Sequence, residues 1–243
     1  NFSVCTARNS SRASGMGRSA PAVNPVFRLL GNEDFDSERL VAYEAGYRWQ
    51  PYDNLGFDLA LFYNDYDRLA SLEIGTPFVG PQGGFTIIPV LNRNLTEGRS
   101  RGVELLAEWQ PTGQWRLAAT YAAMDLELDS PGLDANRGTW LDGSTPRGQF
   151  SLRSQLSLSD RMEFDAQFRH HTRIRRIPVD PSGAGVGAYS SLDLRLGWRI
   201  TPEWQLSLVG QNLLDDEHVE FGGIETRGAL ERTAYLKAEW RRE

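Results

Sequence analysis

Residues 149–159 read QFSLRSQLSLS, with Phe150, Leu152, Leu156 and Leu158 on one parity and Ser151, Arg153, Gln155, Ser157 and Ser159 on the other. Successive side chains of a strand point to opposite faces, whereas a helix repeats every ~3.6 residues, so this order suits a strand with one apolar face. The alternation recurs with Phe57, Leu59, Leu61 and Tyr63 against Gly56, Asp58 and Asn64. It recurs again with Leu192, Leu194, Leu196 and Trp198 against Asp193, Arg195 and Gly197. Strands are expected at about 1–7, 40–49, 55–72, 85–109, 115–128, 147–158, 162–173, 187–200, 203–214 and 231–240, with almost no helix.

The connections between these strands alternate strictly between two kinds. Short ones at 50–54, 110–114, 159–161 and 201–203 are rich in Pro, Asp, Asn and Gly; long ones fall at about 8–39, 73–84, 129–146, 174–186 and 215–230. All short turns therefore lie at one end of the sheet. A soluble sandwich has no physical reason for that asymmetry, and a transmembrane barrel has one: short periplasmic turns, long extracellular loops and strands of ~9–11 residues or more. No run of ~18 apolar residues exists, which excludes a spanning helix but not a barrel, whose residues alternate.

Tryptophan placement points the same way. Trp49, Trp109, Trp115, Trp198 and Trp204 flank the short turns, Trp240 sits where the last strand reaches the same end, and Trp140 falls in a long loop. The first six share the apolar parity of their strands. Indole has an apolar body and one N–H donor, so a ring of tryptophans at one height reads as a membrane-interface girdle. The plainer alternative is packing at the end of a soluble barrel. On the opposite parity lie Glu44, Arg48, Glu104, Glu108, Arg116, Arg153, Asp165, Asp193, Arg195, Lys237 and Glu239. An Arg or Lys facing lipid at mid-depth would cost about 2–4 kcal/mol, so these charges are expected to line a wet or plugged lumen.

Composition sets outer bounds. A chain of 243 residues that is 40% hydrophobic, with this patterning, is ordered, and a net charge of −6 argues against a general nucleic-acid binder. The single cysteine, Cys5, has no internal disulfide partner. The start carries neither an initiating Met nor a leader pattern, as expected of a mature chain or a fragment.

Five segments, in order, resemble the C-terminal barrel of TonB-dependent outer-membrane receptors, the gated transporters of iron–siderophore complexes, haem and cobalamin. SERLVAYEAGYR at 37–48 is similar to the family's SE-x-x-x-x-YE-x-GYR strand. Gly102-Val103-Glu104, then Trp109-Gln110-Pro111 and Trp115-Arg116-Leu117 with Tyr121, resemble its next hairpin. Leu192-Asp193-Leu194-Arg195-Leu196-Gly197-Trp198 and Gln211-Asn212-Leu213-Leu214-Asp215 resemble its penultimate segments, so the likeness covers about 37–240. It implies an all-β, antiparallel transmembrane β-barrel: about ten strands here, the C-terminal portion of a 22-stranded one. Residues 1–36 are then expected as an irregular segment with a first strand and a long loop, residues 37–243 as barrel, and the plug domain and TonB box as absent. The implied partners are outer-membrane lipid and lipopolysaccharide, the TonB complex through a plug not in this chain, and a small-molecule ligand such as a ferric siderophore.

The densest basic stretch is RHHTRIRR at 169–176. Arg169, His171, Arg173 and Arg175 share the lumen-facing parity and are candidates for holding an anionic ligand, against a plain reading as a solvated charged rim. His170 and His171 cannot chelate one ion together, because adjacent strand residues face opposite ways. His218, beside Asp215-Asp216-Glu217, reads as a turn or strand start; Asp125, Glu127 and Asp129 read as a hydrated strand end; Asn212 and Asp215 read as Asx side chains satisfying backbone groups. No nucleophile–base arrangement or phosphate loop is legible, so the reading is not an enzyme, with no cofactor and no metal site.

The leading expectation is therefore a receptor barrel in a Gram-negative outer membrane. An independent pore of about ten strands, a non-functional receptor remnant and a soluble β-barrel stay as alternatives. Carbonate washing of membranes from the source cells separates the last of these: the polypeptide carrying this sequence is expected to stay in the pellet until detergent is added, and release by carbonate alone would support a soluble barrel.

Overall fold

A computed structural model describes residues 24–80, 85–131, 143–175, 185–221 and 228–241. The strand expected at 1–7, Cys5 and Trp140 lie outside the described residues. The chain runs β1 (Asn24–Leu30), β2 (Arg39–Tyr52), β3 (Leu55–Ile74), β4 (Phe78–Val79), β5 (Phe85–Thr112), β6 (Trp115–Asp129) and β7 (Gly148–Ser159). It continues β8 (Met162–His171), β9 (Tyr189–Arg199), β10 (Trp204–Gln211), β11 (Glu217–Val219), β12 (Ala229–Glu231) and β13 (Thr233–Trp240). The long strands make one antiparallel meander in the order β13-β10-β9-β8-β7-β6-β5-β3-β2.

Tight turns build the hairpins β2–β3, β5–β6 and β7–β8, each with a register irregularity just before the turn, between Trp49/Tyr52, Trp109/Thr112 and Ser157/Ser159. Neighbouring hairpins are stitched together at this end. Gln110 N–H donates to Asn54 O at 2.8 Å, Ser157 to Gln114 O at 2.8 Å, Arg199 to Arg161 O at 2.8 Å and Arg241 to Glu203 O at 2.9 Å. The short-turn end is thus a continuous rim.

Cross-strand partners share a face, so the registers sort the side chains directly. One face carries Leu59, Leu105, Tyr121 and Phe150 in one row and Phe164, Leu196, Leu208 and Leu236 in another. All six girdle-candidate tryptophans fall on this face at the short-turn end: Trp204 opposes Trp240, Trp198 opposes Met162 and Leu206, and Trp49 stacks on Phe57 with centroids 5.5 Å apart. Trp115 Nε1–H donates to Ser154 Oγ at 3.0 Å. The opposite face holds the charges, with Arg48 paired to Asp58, and Arg195 Nη1 2.7 Å from Asp165 Oδ2 and 3.2 Å from Glu163 Oε2.

Among the described residues few apolar side chains are buried: Ile87, Pro89 and Val186. A single curved layer has no second layer to bury its apolar face, and water is the wrong solvent for it. The sheet is open, with β2 and β13 at its edges. Counting along the meander, β2 and β13 run in the same direction, so antiparallel closure takes an odd number of further strands. A barrel made of this sheet alone would have to join its edges in parallel.

Three connections expected as loops contain short strands. β1 lies within the stretch expected as the 8–39 connection and pairs in parallel with β5, from Asn24–Phe85 to Leu30–Leu91. The cause is length: β5 continues past Glu97, the partner of the last residue of β6, and its exposed edge is filled by the apolar run Val26-Phe27 and Leu29-Leu30. β4 pairs with β5 in the same region, and β11 with β12 forms a hairpin inside the 215–230 connection.

Gly102 opposes Phe62, whose ring covers it; a Cβ built there would come 2.4 Å from Phe62 and 2.6 Å from the carbonyl oxygen of Ala123. At Gly46 the nearest such atom is an ordinary 3.7 Å away. Gly102→Val is expected to destabilise the folded barrel by about 1–3 kcal/mol, as overpacking does, and Gly46→Ala to leave it near wild type. Urea unfolding of the full polypeptide in detergent checks the contrast.

Candidate functional site at the long-loop mouth of the lumen

The upper ends of β8 and β9 meet the β11–β12 hairpin on the charged face. Arg169 Nη2 donates to Asp193 Oδ2 at 2.9 Å, while Asp193 Oδ1 accepts the backbone N–H of Asn212, also at 2.9 Å. Asn212 has φ 52°, a left-handed conformation that Asn tolerates better than most residues. It turns the chain out of β10 while Leu213 N–H still bonds Leu192 O at 2.9 Å, and its side-chain amide donates to Leu230 O at 2.9 Å. Asp216 and Arg232 close the base of the hairpin through a backbone bond of 2.9 Å and an ion pair of 3.1 Å. The expected Asx role of Asn212 is what the geometry shows, and it folds the hairpin back over the lumenal wall.

Three rings seat the hairpin. His171 stacks on Tyr189 with centroids 4.9 Å apart at 20°, and Tyr189 stacks on His218 at 4.3 Å and 20°. His218 is buried, in β11, with Nε2 3.1 Å from Glu220 Oε1. Around this stack four buried polar atoms have no protein partner: Arg169 Nε, Ser191 Oγ, Asn212 Oδ1 and His218 Nδ1. Buried polar atoms of this kind are satisfied by ordered water or by a ligand. They supply donors and an acceptor at the point where the lumen opens towards the long loops.

The four basic candidates divide. Arg169 and His171 lie side by side on the lumenal face, one in the ion pair and one in the stack. Beyond β8, Ile174 and Val186 form an isolated bridge in phase with the His171–Tyr189 pairing, so Arg173 and Arg175 keep the same parity. Both are exposed. His170 points the other way, its Nδ1 2.9 Å from Ser190 Oγ, as adjacency on a strand requires. Among the described residues no group of three or more His, Cys, Asp or Glu side chains is arranged to hold a metal. Tyr189, His218, Glu220 and Asp193 were not legible as site residues, because no local spacing links His171 to His218; only the inward fold of the hairpin does.

Comparison with known proteins gives this architecture a family. The profile described as "TonB dependent receptor-like, beta-barrel" matches residues 7–213, and the chain belongs to that family. The match starts well before residue 37, where the resemblance read from motifs begins. No protein of curated function matches the sequence. Among solved structures, the ferric-catecholate import receptor Fiu from K12 E. coli is 22% identical with a TM-score of 0.64, over 85% of this chain and 28% of that one. A ferric enterobactin receptor (PfeA) mutant from Pseudomonas aeruginosa is 16% identical with a TM-score of 0.66, over 86% and 32%. The ferripyoverdine receptor of the Pseudomonas aeruginosa outer membrane, bound to ferripyoverdine, is 17% identical with a TM-score of 0.62, over 84% and 27%. The chain thus spans about a third or less of these receptors, and at such identities the likeness is one of fold.

The lock at Asn212 is testable on its own. Asn212→Ala loses the amide bond to Leu230 and pays for the left-handed backbone, an expected cost of about 1–3 kcal/mol, whereas Asn212→Gly loses only the bond. Limited proteolysis within 213–231 should therefore accelerate most for the alanine variant, less for glycine, and least for wild type.

Proposed function

We propose that this chain forms wall and loops of a TonB-dependent receptor in a Gram-negative outer membrane, taking up a scarce anionic chelate of the ferric-siderophore class. The observation that carries the reading is the lumenal mouth. Arg169, His171, Arg173 and Arg175 share one parity beside four unpartnered buried polar atoms, on a barrel wall of this family. A siderophore complex presents several anionic oxygens around its metal, and guanidinium groups bind such oxygens through charge-assisted, often bidentate hydrogen bonds. The six tryptophans serve as the periplasmic interface girdle, and the polar face lines the lumen that a plug domain fills. Ligand arriving at the mouth is held there until a pull by TonB on the plug opens a path. The ferric-catecholate and ferripyoverdine receptors among the structural neighbours support the ligand class.

The test uses the intact receptor and a panel of ferric catecholate and ferric hydroxamate siderophores. Arg173→Gln with Arg175→Gln changes two exposed side chains, so the fold should hold, and affinity for the cognate complex should fall about tenfold or more. Undiminished binding by that double variant, and by one that adds Arg169→Gln and His171→Gln, would remove the mouth assignment.

A further inference from the structure

The lumenal wall formed by β2, β3, β5 and β6 has two stretches of different chemistry. Towards the short turns it carries Arg48, Asp58, Glu104, Glu108 and Arg116. Towards the long loops it carries Phe62, Asn64 and Tyr66 of β3, opposite Gly102, Ser100 and Gly98 of β5, which in turn oppose Met124, Leu126 and Leu128 of β6. On these three strands the rows hold no charge. Glu44, across from Phe62 on β2, and Glu104, next below Gly102 on the same face, mark their lower border.

The polar side chains within the rows are turned into the wall. Ser100 is buried, and its hydroxyl accepts from Asn64 Nδ2 at 3.0 Å and stands 3.3 Å from the Tyr66 hydroxyl. Just beyond them, buried Thr96 and Ser130 bond each other at 3.0 Å. Leu128 covers Gly98 and Phe62 covers Gly102, each taking the space a Cβ would need. The surface shown to the lumen is therefore Phe62, the Tyr66 ring, Met124, Leu126 and Leu128, all half-buried.

A wall that only meets water has no reason to satisfy its polar groups internally and present hydrocarbon to the lumen; an apolar patch of this kind marks a binding groove. The basic mouth is its opposite, with buried polar atoms left open. The two adjoin. His171 opposes Gln149, which opposes Ala122, and Met124 follows on the same face. Two strand spacings and two residues put Met124 about 12 Å from His171 along the wall, and two further strands put Phe62 at about 20 Å. Charge sets the direction of a ligand that spans them. An anionic group is drawn to Arg169, Arg173 and Arg175 and repelled by Glu44 and Glu104 at the foot of the apolar rows.

We propose that the apolar rows are a tail subsite and that the chelate taken up is amphiphilic, with an anionic metal-binding head at the basic mouth and an aliphatic tail laid over Met124, Leu126, Leu128 and Phe62. The proposal rests on the mouth reading above and adds to it the chemical class of the ligand.

The experiment embeds the intact receptor in nanodiscs and measures binding of anionic ferric catecholate and ferric hydroxamate chelates, each carrying either an N-acetyl or an N-dodecanoyl arm. Empty discs correct for partition of the tail into lipid. Each buried methylene favours binding about fourfold, so wild type should hold the dodecanoyl form of the chelate it accepts about tenfold or more tightly than the acetyl form. Met124→Gln with Leu126→Gln should erase most of that gain and leave the acetyl form unchanged. A dodecanoyl arm ending in a diazirine should crosslink within 62–66 and 124–128. Equal affinity for the two arms, a gain untouched by the double variant, or crosslinks confined to lipid-facing side chains overturns the tail subsite, while binding of the acetyl form leaves the mouth reading intact. Binding of no chelate in either form overturns both.

Discussion

Hydrocarbon offers no hydrogen-bond partners, and everything else in this structure follows from that. Each backbone N–H and C=O within the band must be met by a neighbouring strand, so the chain forms a continuous antiparallel ladder instead of a packed core. Few apolar side chains are buried among the described residues, as expected where an apolar face meets lipid instead of a second protein layer. The same demand explains the stitching of one hairpin to the next at the short-turn rim, where Gln110, Ser157, Arg199 and Arg241 each donate to the adjoining turn. The two edges, β2 and β13, are the ladder positions that closure would have to pair.

With the wall determined by backbone bonding, side chains on the lumenal face are released for other work. Low on the wall they make ion pairs such as Arg195 with Asp165 and Glu163. At the mouth they do something more specific. The left-handed Asn212 reverses the chain, Asp193 joins Arg169 to that reversal, and the His171–Tyr189–His218 stack seats the hairpin against the wall. Polar atoms left without protein partners collect at this one place more than elsewhere among the described residues. The outer face beyond the apolar rows is the complement, with Arg99, Arg101, Asp125 and Glu127 pointing outward.

Much of the fold is legible in the sequence itself. The period of two along Phe150–Leu158 and Leu192–Trp198 reports strand and face together, and the alternation of short and long connections reports at which end the turns are tight. Strand limits agree to within a few residues: 162–173 was expected where Met162–His171 is found, and 231–240 where Thr233–Trp240 is found. β1 escaped because parallel pairing with β5 is a tertiary opportunity, created by β5 outrunning β6, and seven residues of Asn-Pro-Val-Phe-Arg-Leu-Leu carry no clean alternation. At the site, Arg169, His171, Arg173 and Arg175 were legible as a basic run of one parity, whereas their partners were not.

What the sequence alone determined is the set of properties that repeat locally: strand, face, the shared face and end of the six tryptophans, and the end at which the turns are tight. These follow from neighbour-to-neighbour geometry, in which a side chain's parity decides its solvent. What only the tertiary structure decided is which distant groups meet. His218 reaches Tyr189 because one Asn with φ 52° folds a hairpin inward, and Glu97 faces Asp129 because two strands of unequal length share a register. Such contacts depend on chain reversal and strand register, and neither is encoded in the spacing of the residues that finally touch.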